Sequence, residues 1–301
     1  MNAVTFANGT LDMAGHLYLP PGFTATARCP AIVCTHPAGG VKEQTSGLYA
    51  ERLAALGFVT LAFDASFQGE SGGQPRQLEN PHARIEDISA AVDFLTTLPY
   101  VDRERIGAMG ICAGGAYTVG AAMGDRRIKA IGTVSAANYG AILRQGWDGR
   151  GNPEDALALL DAAVNARTAE ANGSATGYFP IVPVSRDQAP NADLAEAVDY
   201  YRGPRAQNPR SPSQAPLRSL MQLCTFDAFH LVEVFLTQPI QIVAGAEAGT
   251  RWISEDLYQR VASQDKHLHL VPGASHVGLY DKPDLVAEAI ARLGPFFQHH
   301  L

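Results

Sequence analysis

Apolar and polar positions along this chain change their spacing several times, and each spacing predicts an element. Residues 4–19 read as two short strands joined at "NGT", because Asn-Gly is a strong hairpin signal. "CPAIVCTH" (29–36) is a continuous apolar run of strand length, and "KEQTSGLYAERLAALG" (42–57) has helical spacing closed by Gly57. "FVTLAFD" (58–64) predicts a second buried strand. "HARIEDISAAVDFLTTLP" (82–99) places Ile85, Ile88, Ala91, Val92 and Leu95 on one helical face, ending at Pro99. A strand at 105–111, a small-residue helix near 114–123 and the strand "IKAIGTVSA" (128–136) follow. Strands alternating with helices, and apolar enough to be buried on both faces, predict an α/β fold with a mostly parallel sheet flanked by helices.

The rhythm breaks near residue 139. Helices are expected near 154–171 and 192–201, separated by proline-dense stretches such as "YFPIVPVSRDQAP" in which no strand is evident. The alternation resumes with "QPIQIVAG" (238–245), a helix from Ser254, the strand "KHLHLVPG" (266–273) and a last helix at 283–298. The expected organisation is a sheet domain over 1–138 and 237–301, interrupted by a mostly helical insertion over 139–236.

Composition narrows the function classes. The 301 residues are 46% hydrophobic and 18% charged, enough apolar material for a full core. A net charge of −7 without a Lys/Arg cluster argues against nucleic acid or an anionic membrane as partner. The start "MNAVTFANGT" has no basic stretch followed by an apolar one, and no run approaches the ~18 apolar residues of a membrane span. The four cysteines (Cys29, Cys34, Cys112, Cys224) form no CxxC pair, so neither a disulfide framework nor a metal site is expected, and a reducing cytoplasm is the default location. No cofactor is expected either: "GICAGG" lacks the Lys-Ser/Thr of a phosphate loop, and no Gly-x-Gly-x-x-Gly follows the first strand.

The chemistry concentrates in "RIGAMGICAGGAY" (105–117). Gly110-Ile111-Cys112-Ala113-Gly114 has the form Gly-x-nucleophile-x-Gly where a strand should meet a helix. Such a turn needs small residues on either side of a strained nucleophile, and the helix N-terminus there favours a thiolate. A thiol nucleophile needs a base. His276, in "VPGASHVGLYDKP" beyond the last strand, lies at the same sheet edge as the elbow, whereas His267 and His269 read as surface residues and His299 and His300 as a tail. In the loop after the preceding strand Glu247 is the first choice for the acid, with Glu255 and Asp256 in the first turn of the next helix and Asp148 within the insertion as alternatives. The Ala113 and Ala38 amides are the candidate oxyanion donors, with Gly39 and Gly40 beside Ala38. His36 and Asp64 lie at the same edge as candidate site-lining residues, Asp64 better suited to bracing a loop than to catalysis.

"HPAGGVKEQ", "FDASFQGESGG", "GICAGG" and "GASHVGLYDKP", in this order, resemble the α/β-hydrolases with a cysteine nucleophile known as dienelactone-hydrolase-like. The resemblance implies the α/β-hydrolase fold, into which this chain's own pattern inserts a helical cap between the sixth and seventh core strands. It also implies ester, lactone or thioester hydrolysis through an acyl-cysteine. His36 stands where dienelactone hydrolases carry an acidic residue, and the long insertion is a further departure. The insertion falls where lids form, and its Tyr178, Phe179, Phe226 and Phe229 would suit an apolar acyl substrate. Acyl transfer to an alcohol or amine, and non-catalytic binding of a small ligand, are the competing readings. The oligomeric state is open, a homodimer being one option.

Overall fold

The computed structural model describes residues 1–301. Strands β1 (Asn2–Asn8) and β2 (Leu11–Tyr18) form the expected hairpin, with Asn8 paired to Leu11 so that only Gly9 and Thr10 make the turn. Gly9 takes φ 56°, a backbone conformation that glycine adopts without strain. Along β2 the buried positions Met13, Gly15 and Leu17 alternate with more exposed ones, as expected for a strand with one face on the core.

The strands that follow are buried on both faces. β3 (Cys29–Thr35), β4 (Val59–Phe63), β5 (Val101–Ile111) and β6 (Ile128–Val134) are linked by helices α1 (Thr45–Ala54), α2 (Pro81–Thr97) and α3 (Ala113–Gly124). Asn80 caps α2 by accepting from the His82 and Ala83 amides, and Pro81 occupies the first turn. β5 begins at Val101 rather than at 105. The charged run "DRER" hides the strand's start in the sequence, but Val101 is buried and pairs with Cys29 across an irregularity in register.

Between β6 and the next sheet strand the chain makes α4 (Tyr139–Gln145), α5 (Ala156–Ala171), β7 (Tyr178–Pro180), α6 (Ala192–Tyr201), β8 (Gln214–Pro216), α7 (Leu220–Leu223) and α8 (Val232–Phe235). β7 and β8 pair as a separate antiparallel ribbon. These strands are three residues long and each contains proline, so no periodicity announces them. β9 (Ile240–Gly245), α9 (Arg251–Arg260), β10 (Lys266–Val271), α10 (Gly278–Asp281) and α11 (Pro283–His300) complete the chain.

The eight-stranded sheet runs β1-β2-β4-β3-β5-β6-β9-β10 and is parallel from β4 onward. Ile88 and Val92 of α2, Tyr117 of α3 and Leu257 of α9 pack on one face; Tyr49 and Leu53 of α1 with Leu293 and Phe297 of α11 pack on the other. This is the α/β-hydrolase architecture. The chain steps from β3 out to β4 and then crosses back to β5, so β3 and β5 are neighbours at a reversal of strand order. Crevices at such reversals are where α/β sheets hold ligands. No helix is long and apolar enough to cross a membrane.

Candidate active site

Cys112 occupies the bend between β5 and α3 with φ 56° and ψ −127°, a strained conformation for a residue with a side chain, costing on the order of 1–3 kcal/mol. The bend is held from both sides: the Cys112 amide donates to the Val134 carbonyl at 3.0 Å, and its carbonyl accepts from the Gly115 and Ala137 amides at 2.9 Å each. The flanking glycines are a steric requirement. A Cβ on Gly110 would lie 2.1 Å from the Gly114 carbonyl oxygen, and one on Gly114 would lie 2.5 Å from both the Thr35 and His36 carbonyl oxygens.

The partly exposed Cys112 faces a cavity with room of about 40 Å³ for water-sized groups. Ala38, Tyr201, His276 and Tyr280 share its wall, and 13 of its 15 lining residues are hydrophobic, so the site excludes charge. The insertion contributes Trp147, Leu194 and Tyr201. The aromatic residues singled out in the sequence lie elsewhere: Phe226 packs against His82 and Tyr117, Phe229 is in the core, and Tyr178 is exposed. Phe179 packs against Ala163 and Leu220 within the insertion, and none of the four lines the cavity.

Both candidate oxyanion donors are present. The Ala38 amide has no partner within the protein, and the Ala113 amide opens α3 directly against the thiol. His36 and Asp64 are buried beneath this edge and do not line the cavity. The His36 Nε2 accepts from the Ala65 amide at 3.0 Å, which leaves Nδ1 to donate to the Pro37 carbonyl at 2.6 Å. Asp64 accepts from the Lys42 amide and ammonium at 2.8 Å each and from the Glu70 amide at 2.9 Å. Together they tie the loop after β3 to the loop after β4. Glu43, Asp64 and Glu70 converge as three carboxylates, but the Lys42 ammonium sits among them at 2.7–2.8 Å, filling the place a cation would take.

His276 lies on the loop after β10, buried, and lines the cavity with Cys112. Its Nε2 is 3.1 Å from the Tyr280 hydroxyl and its Nδ1 is 2.5 Å from the Thr250 hydroxyl. Glu247 is not placed beside it: that side chain is exposed and makes no hydrogen bond or ion pair, because the loop after β9 turns it toward solvent. Glu255 pairs with Arg251, Asp256 with Arg260, and exposed Asp148 accepts from the Arg150 amide. The carboxylate that reaches this histidine comes from the insertion. Asp193 of α6 accepts from the His276 backbone amide at 3.0 Å, the Gly249 amide at 2.7 Å and the Trp147 indole at 2.8 Å.

The electrostatics describe a neutral pair at rest. Burial pushes the Cys112 thiol up from its ordinary value, outweighing the Tyr280 hydroxyl and Ala113 amide, which favour the thiolate; this reverses the expectation from the helix N-terminus alone. Burial also holds His276 down to about 4, against the pull of Asp193 and Glu196 toward the charged form. A thiol and a neutral imidazole, not an ion pair, therefore face the cavity at neutral pH.

Comparison with known proteins identifies the family. Residues 13–147, which span the elbow and the loop of Ala38, match the dienelactone hydrolase family. The chain is 55% identical over 303 residues to the uncharacterised protein YcjY of Escherichia coli strain K12, covering 100% of this chain and 99% of that one. The chain belongs to the dienelactone hydrolase family. A 124-residue stretch, 41% of this chain and 37% of the other, is 40% identical to thiohydrolase aneE of Aspergillus aculeatus. Among solved structures, the hypothetical protein PA2218 of Pseudomonas aeruginosa aligns with TM-score 0.91 at 37% identity, over 100% of this chain and 93% of that one. The α/β-hydrolase GrgF of Penicillium sp. sh18 aligns with TM-score 0.82 at 21% identity, over 99% and 98%. The family places the chain among hydrolases.

In this family member, Asp193, Thr250 and Tyr280 escaped sequence reasoning. Asp193 falls in the first turn of a helix, where an acid also serves the helix dipole, and nothing local ties it to a loop 83 residues away. Tyr280 had a signal, its four-residue spacing from His276 in "SHVGLY".

Proposed function

We propose that this enzyme hydrolyses apolar acyl thioesters through an acyl-cysteine intermediate. The observation that carries the reading is a cysteine on a strained bend sharing one apolar cavity with a neutral histidine and the unpartnered Ala38 amide. The Cys112 sulfur attacks the thioester carbonyl as its proton passes to His276. The oxyanion of the tetrahedral intermediate is held by the Ala38 and Ala113 amides. The imidazolium returns its proton to the departing thiol, leaving acyl-Cys112. Water, deprotonated by His276, attacks the acyl carbon; the Cys112 thiolate leaves and is reprotonated as the acid is released.

Two features favour a thioester over an ester. Acyl transfer from a thiol to a thiol exchanges like for like, whereas forming a thioester from an oxoester is uphill and must expel an alkoxide. Stretches of the chain are also similar to fungal proteins named thiohydrolases. An apolar acyl group follows from the lining: apart from the buried neutral His276, no ionisable nitrogen or carboxylate faces the cavity. The insertion acts as the lid over this pocket, and the small cavity implies that the lid opens to admit a chain.

The test is a screen of short- and medium-chain acyl thioesters beside matched esters and lactones, run with Cys112→Ala. Thioesters are expected to turn over fastest, and Cys112→Ala to lower kcat by at least about 10³-fold. Undiminished turnover in that variant refutes the mechanism. Partition of the acyl group to added alcohol in preference to water would instead favour acyl transfer.

A further inference from the structure

The Ala38 amide is the proposed oxyanion donor that the elbow does not supply, and it sits in a turn gripped by the insertion. Across Pro37–Gly40 the Gly40 amide donates to the Pro37 carbonyl at 3.1 Å, and Gly39 takes φ 65°. A positive φ at Gly39 but not at Ala38 is the pattern of a type II turn, which glycine meets without strain. Ser211, buried on the segment between α6 and β8, donates its hydroxyl to the Gly39 carbonyl at 2.6 Å. We propose that Ser211 is a positioning residue for the oxyanion site, fixing from the insertion the turn that presents the Ala38 amide to the reacting carbonyl. The proposal rests on the acyl-cysteine reading above.

The coupling follows from the planarity of the peptide. The Gly39 carbonyl and the Gly40 amide belong to one rigid unit, and the Pro37 carbonyl and the Ala38 amide to another. The Ser211 hydroxyl holds the first unit by its carbonyl, and that unit's N–H donates to the carbonyl of the second. The N–H of the second is the Ala38 donor, which has no partner within the protein; Ala38 lines the cavity with Cys112. Hydrogen bonds in such a series polarise one another, so the Ser211 bond also strengthens the Ala38 N–H as a donor. His36 Nδ1 reaches the same Pro37 carbonyl at 2.6 Å, so the second unit is anchored at the sheet edge and the first by the insertion.

The segment that carries Ser211 is fastened to the same loop. The Gln44 side-chain amide donates to the Ala206 carbonyl at 2.7 Å, while its Oε1 accepts from the Val41 amide at 3.0 Å. The Ser211 amide donates to the Asn208 carbonyl at 2.9 Å. Insertion and turn meet closely, since a Cβ on Gly39 would lie 3.0 Å from Ile181 Cδ1. The Gly39 carbonyl has no other donor within the protein, so loss of the hydroxyl frees its peptide unit to tilt.

The experiment compares the full-length parent with Ser211→Ala, Ser211→Thr, Ser211→Cys and Cys112→Ala, measuring thioester kcat and KM, iodoacetamide labelling of Cys112, and Tm. Alkylation displaces iodide at a tetrahedral carbon and forms no oxyanion, so it reports on the thiol without the Ala38 amide. Acylation and deacylation both pass through an oxyanion, so kcat senses the amide whichever step limits it. Ser211→Ala is expected to lower kcat at least about tenfold, with KM and labelling rate within about twofold of the parent. Ser211→Thr keeps the donor and should restore most of kcat. The positioning role is overturned by a Ser211→Ala kcat within about twofold of the parent, by kcat and labelling falling together, or by a threonine variant no better than the alanine one. Turnover lost in Cys112→Ala but kept in Ser211→Ala removes that role alone, whereas undiminished turnover in Cys112→Ala removes the acyl-cysteine reading and this proposal with it. Should Ser211→Ala fail to fold, Ser211→Cys decides. Its S–H is a weak donor, so kcat should fall below that of Ser211→Thr with labelling unchanged, and equal values refute the proposal.

Discussion

The two halves of the site are built in opposite ways. The cysteine half is local: Gly110, Cys112 and Gly114 are within five residues of one another, and backbone contacts pin the bend. The histidine half is assembled from afar. His276 is held by Thr250 from the loop after β9, by Asp193 from the insertion and through Tyr280 from α10, with Trp147 packed 5.0 Å from its ring. In a triad with a carboxylate at Nδ1, one acid orients the ring and stabilises its charge. Here the tasks are divided: Thr250 makes the ring hydrogen bond, while Asp193 supplies negative charge and grips the backbone. The cysteine bend therefore depends on sterics at one turn, and the surroundings of the histidine depend on how the insertion docks.

The division can be broken from either side. The largest effect is expected at Gly114→Ala, where a Cβ at 2.5 Å from two backbone carbonyl oxygens forces the chain apart; at least about 3 kcal/mol of stability and most of the activity should be lost. Urea denaturation measures the first and a thioester assay the second. Asp193→Ala leaves three N–H donors in the interior without an acceptor and should cost about 3 kcal/mol while lowering kcat. If it instead behaves as a surface change, the insertion does not build the histidine half.

A smaller effect isolates Thr250. Thr250→Val removes the Nδ1 partner without changing shape, and should lower kcat about tenfold with a stability loss of about 1 kcal/mol. The same contrast appears in pH dependence. Because burial holds His276 to about 4, kcat/KM for a neutral thioester should fall only as the pH drops through about 4, well below an ordinary imidazole. The sign for stability follows, since the unfolded chain binds this proton more tightly than the folded one. The contribution from keeping His276 neutral is complete above about pH 6.5 and lost as the pH falls from there toward 4. Denaturation midpoints across that range, flattened in His276→Gln, check it. The smallest effect belongs to Glu247→Gln, which should change kcat less than about twofold and stability by less than about 0.5 kcal/mol. A large loss there would restore Glu247 as the acid.

Legibility followed the same divide. The elbow could be read because its demands are met by adjacent residues, and the alternation of apolar strands with helices announced the sheet. His276 could be placed because strand order puts its loop at the elbow's edge. Its partners could not. Glu247 looked right by chain position, but a loop's path decides whether a carboxylate turns in or out, and this one turns out. Asp193 looked like any acid at a helix start until the fold brought α6 over the loop of His276.

The sequence alone determined what depends on neighbours along the chain: the strands and helices, the crowded turn at Cys112, the hairpin at Gly9. Tertiary structure alone decided which groups surround the imidazole and that burial leaves both thiol and imidazole neutral. Sterics and periodicity act within a few residues and are written locally, whereas desolvation and hydrogen-bond pairing depend on what the folded chain excludes from water.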